Sequence, residues 1–93
     1  MTVPNGAPPV GAQFRKTDAR PWTDTDGTKH THTIVTECRI TARDAVGCDY
    51  VVTRVVSNTD APPEGVAYNP PTGGQFAWFG LAAAMERGRV VPL

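Results

Sequence analysis

A chain of 93 residues with nine basic and nine acidic side chains carries no net charge at pH 7. That excludes the bulk positive field behind nonspecific nucleic-acid binding, so any such role would need a local patch. Eleven Val and twelve Thr against two Leu and two Ile favour strands, in one domain near the lower size limit for a self-sufficient core.

Met1 to Ala12 hold three prolines and two glycines and read as a flexible or extended arm. This start is neither basic nor apolar, so no signal peptide is expected, and no apolar run approaches the ~20 residues that span a bilayer. A cytoplasmic setting follows as the default, with no membrane partner. Gln13 to Thr17 is a candidate first strand with Phe14 inward. Asp18 to Thr33 is polar and turn-prone, through Arg20-Pro21-Trp22 and Asp24-Thr25-Asp26-Gly27, and predicts a long loop.

Ile34 to Ile40 and Cys48 to Val56 are strand-like runs joined by Arg43 to Gly47. If Asp44 to Gly47 turn the chain, paired residue numbers sum to about ninety-one, and Glu37 faces Arg54 as a cross-strand ion pair. That register puts Cys38 with Ile34, Ile40, Val51 and Val55, and Cys48 with Tyr50 and Val52 on the other face. A slip of one residue would put both sulfurs on one face but several positions apart. Two reduced thiols are expected, Cys38 being a small core residue.

Asn58 to Gly74 predicts a second long loop, with the pairs Pro62-Pro63 and Pro70-Pro71. Gln75 to Phe79 predicts a fourth strand. Leu81 to Arg87 reads as a helical turn docked through Leu81 and Met85 and ended by Gly88. Val90 and Val91 form a last strand, which Pro92 ends. Five short strands, a long first loop and one short helical turn before the last strand resemble the SH3-like architecture, so the expected fold class is all-β, a small five-stranded SH3-like barrel over residues 13–93.

Gly11, Phe14, Asp18 and Arg20 at the opening, and Thr72, Gly73, Gly88 and Arg89 at the close, fall in a pattern. It resembles that of short SH3-like barrel proteins in tailed phages of GC-rich bacteria. Seven Arg against two Lys agrees with such a genome. The resemblance covers residues 11–93 and implies a fold and a phage origin. It carries over no active site, and the proline-rich second loop departs from the usual compact form.

Candidate chemistry is sparse. His30 and His32 share a strand face, but zinc wants three or four ligands, and Asp24, Asp26 and Cys38 have no matching spacing. Asp24-Thr25-Asp26-Gly27 echoes a calcium loop, with its glycine two positions early and no Glu at the twelfth position; an Asx turn is the expectation. Cys38 with a His and Asp44 or Asp49 could be drawn as a triad, though nothing brings them together. Gly73-Gly74 precedes a strand and so lacks the helix N-terminus of a phosphate loop. No metal, cofactor or enzymatic activity is expected.

Aromatic residues carry more. Trp22 and Tyr68 sit in the two long loops and either line a groove for an extended peptide or fold back as lids on a small core. In the fourth strand Phe76 and Trp78 point opposite to Phe79, so one large aromatic must lie near the surface. The arginines form either a basic stripe or, with the interspersed carboxylates, salt-bridged faces. The expected function is a non-enzymatic protein-binding domain, contacting a host or phage protein through Trp22, Tyr68, Trp78, Arg20, Arg89 and the edge Arg89 to Leu93. A virion accessory subunit is the alternative, then a nucleic-acid-binding barrel.

Overall fold

A computed structural model describes residues 4–63 and 72–93. Five strands run in chain order as β1 Gln13–Thr23, β2 Lys29–Arg43, β3 Gly47–Thr59, β4 Gly73–Ala77 and β5 Val90–Pro92, with one helix, α1 Trp78–Glu86, between the last two. They make a single sheet in the order β4-β3-β2-β1-β5, and each neighbouring pair is antiparallel.

The sheet is open among the described residues, with β4 and β5 as its edges; no strand pairing closes the barrel that the sequence suggested. The physical reason is length. β4 has five residues and β5 three, while β2 has 15 and β3 13, so the short edge strands flank one end of a long ribbon. That end is closed by helix packing instead. Leu81 of α1 joins Phe14, Cys38, Ile40, Cys48, Tyr50 and Val90 in one buried cluster, with Val52, Phe76, Trp78 and Met85 around it. The molecule is correspondingly long, 52 × 22 × 21 Å.

The expected loop from Asp18 to Thr33 is mostly strand. β1 and β2 pair without interruption from Gln13↔Arg39 to Thr23↔Lys29. Only Asp24 to Thr28 turn: the Asp24 N–H donates to the Thr28 carbonyl at 2.8 Å, and Gly27 takes φ +87°. Asp26 Oδ1 accepts the Thr28 N–H at 2.9 Å, an Asx turn. Pro21 is tolerated because β5 pairs with β1 only at Phe14 to Lys16, leaving β1 an edge strand at Pro21.

The second hairpin has the expected Glu37↔Arg54 pair, but three irregularities shift the register around it. Cys38 pairs with Val52 and Ile40 with Tyr50, whose numbers sum one lower than the predicted value. A slip of one residue flips every side chain. Cys48 and Tyr50 are therefore buried on the same face as Cys38 and Ile40, while Val51 and Val55 are exposed. Both thiols are free and burial pushes both upward, away from a reactive thiolate.

Trp78 and Phe79 leave the predicted fourth strand and begin the helix. The Trp78 N–H donates to the Val46 carbonyl at 3.0 Å, ending the β3–β4 ladder at the β2–β3 turn, and the alanine-rich segment continues as helix. The helix ends where expected. Gly88 takes φ +75°, its N–H donates to the Met85 carbonyl, and the Arg89 N–H donates to the Ala84 carbonyl, a Schellman motif. Pro4 to Ala12 lie by the end of β2, where the Gly11 N–H donates to the Ile40 carbonyl and Arg43 reaches the Ala7 and Pro8 carbonyls.

On the outer sheet face, Glu37 accepts from Arg54 at 2.9 Å and Arg15 at 3.0 Å. Arg54 first, then Arg15, holds its carboxyl below the usual carboxylate range. A depressed folded pKa contributes stability above the unfolded value, about 4.3, which is lost as pH falls through the folded one. Asp44 acts in the same direction, held low by the N–H groups of Gly47 and Val46. Glu37→Gln should therefore flatten the loss of thermal midpoint as pH falls below about 4. An unchanged acid limb would show that the ion pairs are not felt.

Candidate functional site

The predicted contact residues lie at two ends of the ribbon. At the tip of the first hairpin, Trp22 pairs across strands with His30, and Arg20 with His32. The Trp22 ring stacks on the His30 imidazole at 4.2 Å, and its N–H donates to the Asp60 carbonyl at 2.8 Å. Asp60, held at φ +55°, follows the last residue of β3, so Trp22 ties that strand end to the hairpin tip.

Trp22 is half-buried, with one ring face and its donor engaged internally. Trp22→Ala should cost about 2 kcal/mol, less than a fully buried aromatic because part of the ring is already wet. Urea unfolding checks this; a loss below about 0.5 kcal/mol would mean that the stack contributes nothing.

His32 is 2 % exposed and its Nε2 meets Asn58 Oδ1, while His30 Nε2 lies 3.6 Å from Asp24 Oδ2. No group of three or more potential metal ligands gathers among the described residues. Cys38 lies six residues along β2 from His32, on the order of 20 Å at ~3.3 Å per residue, and Asp44 lies beyond the other end of that strand. The drawn triad does not assemble.

The other end of the ribbon holds Trp78. It is half-buried against the core, and its indole N–H donates to the Asp44 carbonyl at 2.8 Å. The 15-residue length of β2, on the order of 45 Å when extended, separates it from Trp22, so the two tryptophans form no common groove. Tyr68 lies outside the described residues. Arg89 follows the helix cap, with its carbonyl accepting the Thr17 N–H at 2.8 Å, and Val91 and Leu93 beyond it are exposed.

Beside Trp78 lies the residue that the sequence did not single out. Phe79 is 84 % exposed, whereas the other described aromatics are buried or half-buried. Phe14, Tyr50 and Phe76 pack on one another with centroids 5.3 to 6.2 Å apart. Val46, whose carbonyl fixes the Trp78 backbone, is 68 % exposed at the same end. A cleft of about 310 Å³ opens there, lined by Arg43, Val46, Asp49, Gln75, Phe76 and Ala77. The signal was present in the sequence: with aromatics on both sides of Gln75 to Phe79, one had to face water. Which one depended on where the strand stopped.

The β4 edge runs beside this cleft. The Val52 N–H binds the Thr72 carbonyl and the Trp78 N–H binds the Val46 carbonyl, so by alternation Gly73, Gln75 and Ala77 turn their backbone groups outward. The arrangement offers exposed apolar side chains and strand-edge hydrogen bonds, which suit contact with another chain. No protein-family model, curated protein or solved structure matches this chain.

Proposed function

We propose that the chain is a small phage-encoded protein-binding domain that acts by contact, not catalysis, on a host or phage protein. The exposure of Phe79 carries this reading. A large aromatic on a docked helix is held in water at the cost of its hydration, and aromatics of this kind anchor protein interfaces. Val46 and the outward edge of β4 extend the same surface, and the exposed Val91 and Leu93 of the β5 side form a second rim.

The finer fold reading belongs to the same proposal. A meander in the order β5-β1-β2-β3-β4, with a helix between the last two strands in sequence, has the connectivity expected of an SH3-like small barrel. The phage origin rests on the pattern of Gly11, Phe14, Asp18, Arg20, Thr72, Gly73, Gly88 and Arg89. No described helix is long and apolar enough to cross a membrane.

Phe79→Ser separates contact from packing. Removing an exposed aromatic should leave the thermal midpoint within a few degrees of wild type, since surface substitutions usually change stability by less than about 0.5 kcal/mol. Capture of the partner from the native host should fall at least roughly tenfold, the loss expected at an interface anchor. Capture equal to wild type would remove Phe79 from the interface.

A further inference from the structure

The neutral chain segregates its charges by face. Strand register places Arg15, Arg39 and Arg54 on the outer face of the sheet, where Gln13↔Arg39↔Val51 and Arg15↔Glu37↔Arg54 form adjacent rows. Arg89 and Val91 belong there too, because Val91 pairs with Arg15 and the alternate residue Val90 is buried on the core side. Four guanidiniums thus share this face with the Glu37 carboxylate, and Asp49 lies at its turn end. Glu37 pairs with Arg15 and Arg54, while Arg39 and Arg89 have no ion-pair partner among the described residues.

Apolar groups sit among these charges. Val91 is 51 % exposed, Leu93 59 % and Val51 36 %. The described aromatic residues of the strands, Phe14, Trp22, Tyr50 and Phe76, occupy the opposite face by the same register.

We infer that this outer face docks an acidic protein segment that also carries aliphatic side chains. Charge complementarity selects an anionic partner. Arg with exposed aliphatics is the composition of protein interfaces. A single-stranded nucleic acid is less well matched, since it is held by stacking as well as by charge and no aromatic ring of the described strands lies on this face. Glu37 would also stand against its phosphates. The inference takes the class of partner from the protein-binding reading above but uses a different surface.

The test measures fluorescence anisotropy of a labelled peptide of Glu-Asp-Leu repeats, with a labelled oligothymidylate of equal length alongside. Wild type should bind the peptide more tightly than the oligothymidylate, and added salt should weaken binding. Arg39→Glu combined with Arg89→Glu should weaken it roughly tenfold or more, by replacing attraction with repulsion at exposed sites. The neutral pair Arg39→Ser and Arg89→Ser should lose an intermediate amount, and Arg87→Glu, the same charge change off the sheet face, little.

Phe79→Ser should bind the peptide as wild type does, so this inference and the Phe79 reading can fail separately. No peptide binding by wild type, tighter binding of the oligothymidylate, or equal losses for Arg87→Glu and the Arg39/Arg89 pair would each overturn the assignment.

Discussion

Phe14→Ala is expected to remove a large share of the folding stability. Phe14 is 3 % exposed and meets Tyr50 edge-on at 5.5 Å and Phe76 at 6.2 Å. It pairs with Cys38 on β2 and Pro92 on β5, so it joins both neighbours of β1 to the aromatic pair contributed by β3 and β4. Truncating a buried Phe costs about 4 kcal/mol in transfer and cavity terms together. A domain of this size holds roughly 5–14 kcal/mol in all. The thermal midpoint should drop by roughly 20 °C, followed by circular dichroism. Phe14→Leu should recover more than half of the loss. A drop of only a few degrees would place the core elsewhere.

Gly47→Ala should be nearly as damaging for the opposite reason, too much atom instead of too little. Gly47 is buried opposite Ala77, and a Cβ there would collide with the Phe76 carbonyl oxygen and lie 2.9 Å from the Ala77 Cα. Both are backbone of the paired strand and cannot swing aside as a side chain would. The substitution must push β4 away from β3, uncovering Cys48 and Phe76. The expected cost is about 3 kcal/mol or more. Amide exchange should show β4 losing protection first, and Cys48 should react faster with a thiol reagent. Unchanged protection across Gly73 to Ala77 would contradict the close approach.

The apolar end of this fold was legible because its pattern is binary. Phe14, Cys38, Ile40 and Leu81 are read inward by alternation or helical spacing, and each is buried. Gly88 announced the helix end, and the Glu37–Arg54 pair announced the hairpin. The face of β3 was not legible, because the bulges that bring Tyr50 and Cys48 inward are set by backbone geometry with no residue signature of their own.

The outer half of β1 was hidden for another reason. Asp18, Arg20 and Trp22 share the core-side face with Phe14, so the period-two contrast fades exactly where the strand leaves the apolar cluster. Lys16 shows the transition. Burial acts to lower its pKa, but the Tyr50 hydroxyl and the Asp18 carboxylate, 3.0 Å away, outweigh it and hold the ammonium charged. A cation there interrupts the apolar alternation in sequence, yet it sits over aromatic rings, 5.4 Å from the Tyr50 centroid.

The candidate site was only half visible. Trp22 and Trp78 were read as contacts for another protein; in the structure each is half-buried and its indole donates to a backbone carbonyl of the chain itself. On the protein-binding reading proposed above, Phe79, Val46 and the β4 edge are the groups this end of the fold would offer to another protein.

Site-specific photo-crosslinking in the native host tests that claim most directly, with the crosslinking side chain placed at position 79 and, as a control, at the exposed Thr31 of the opposite end. The account predicts a discrete protein adduct from position 79 and none from position 31. No adduct at 79, or the same adducts from both positions, would contradict it.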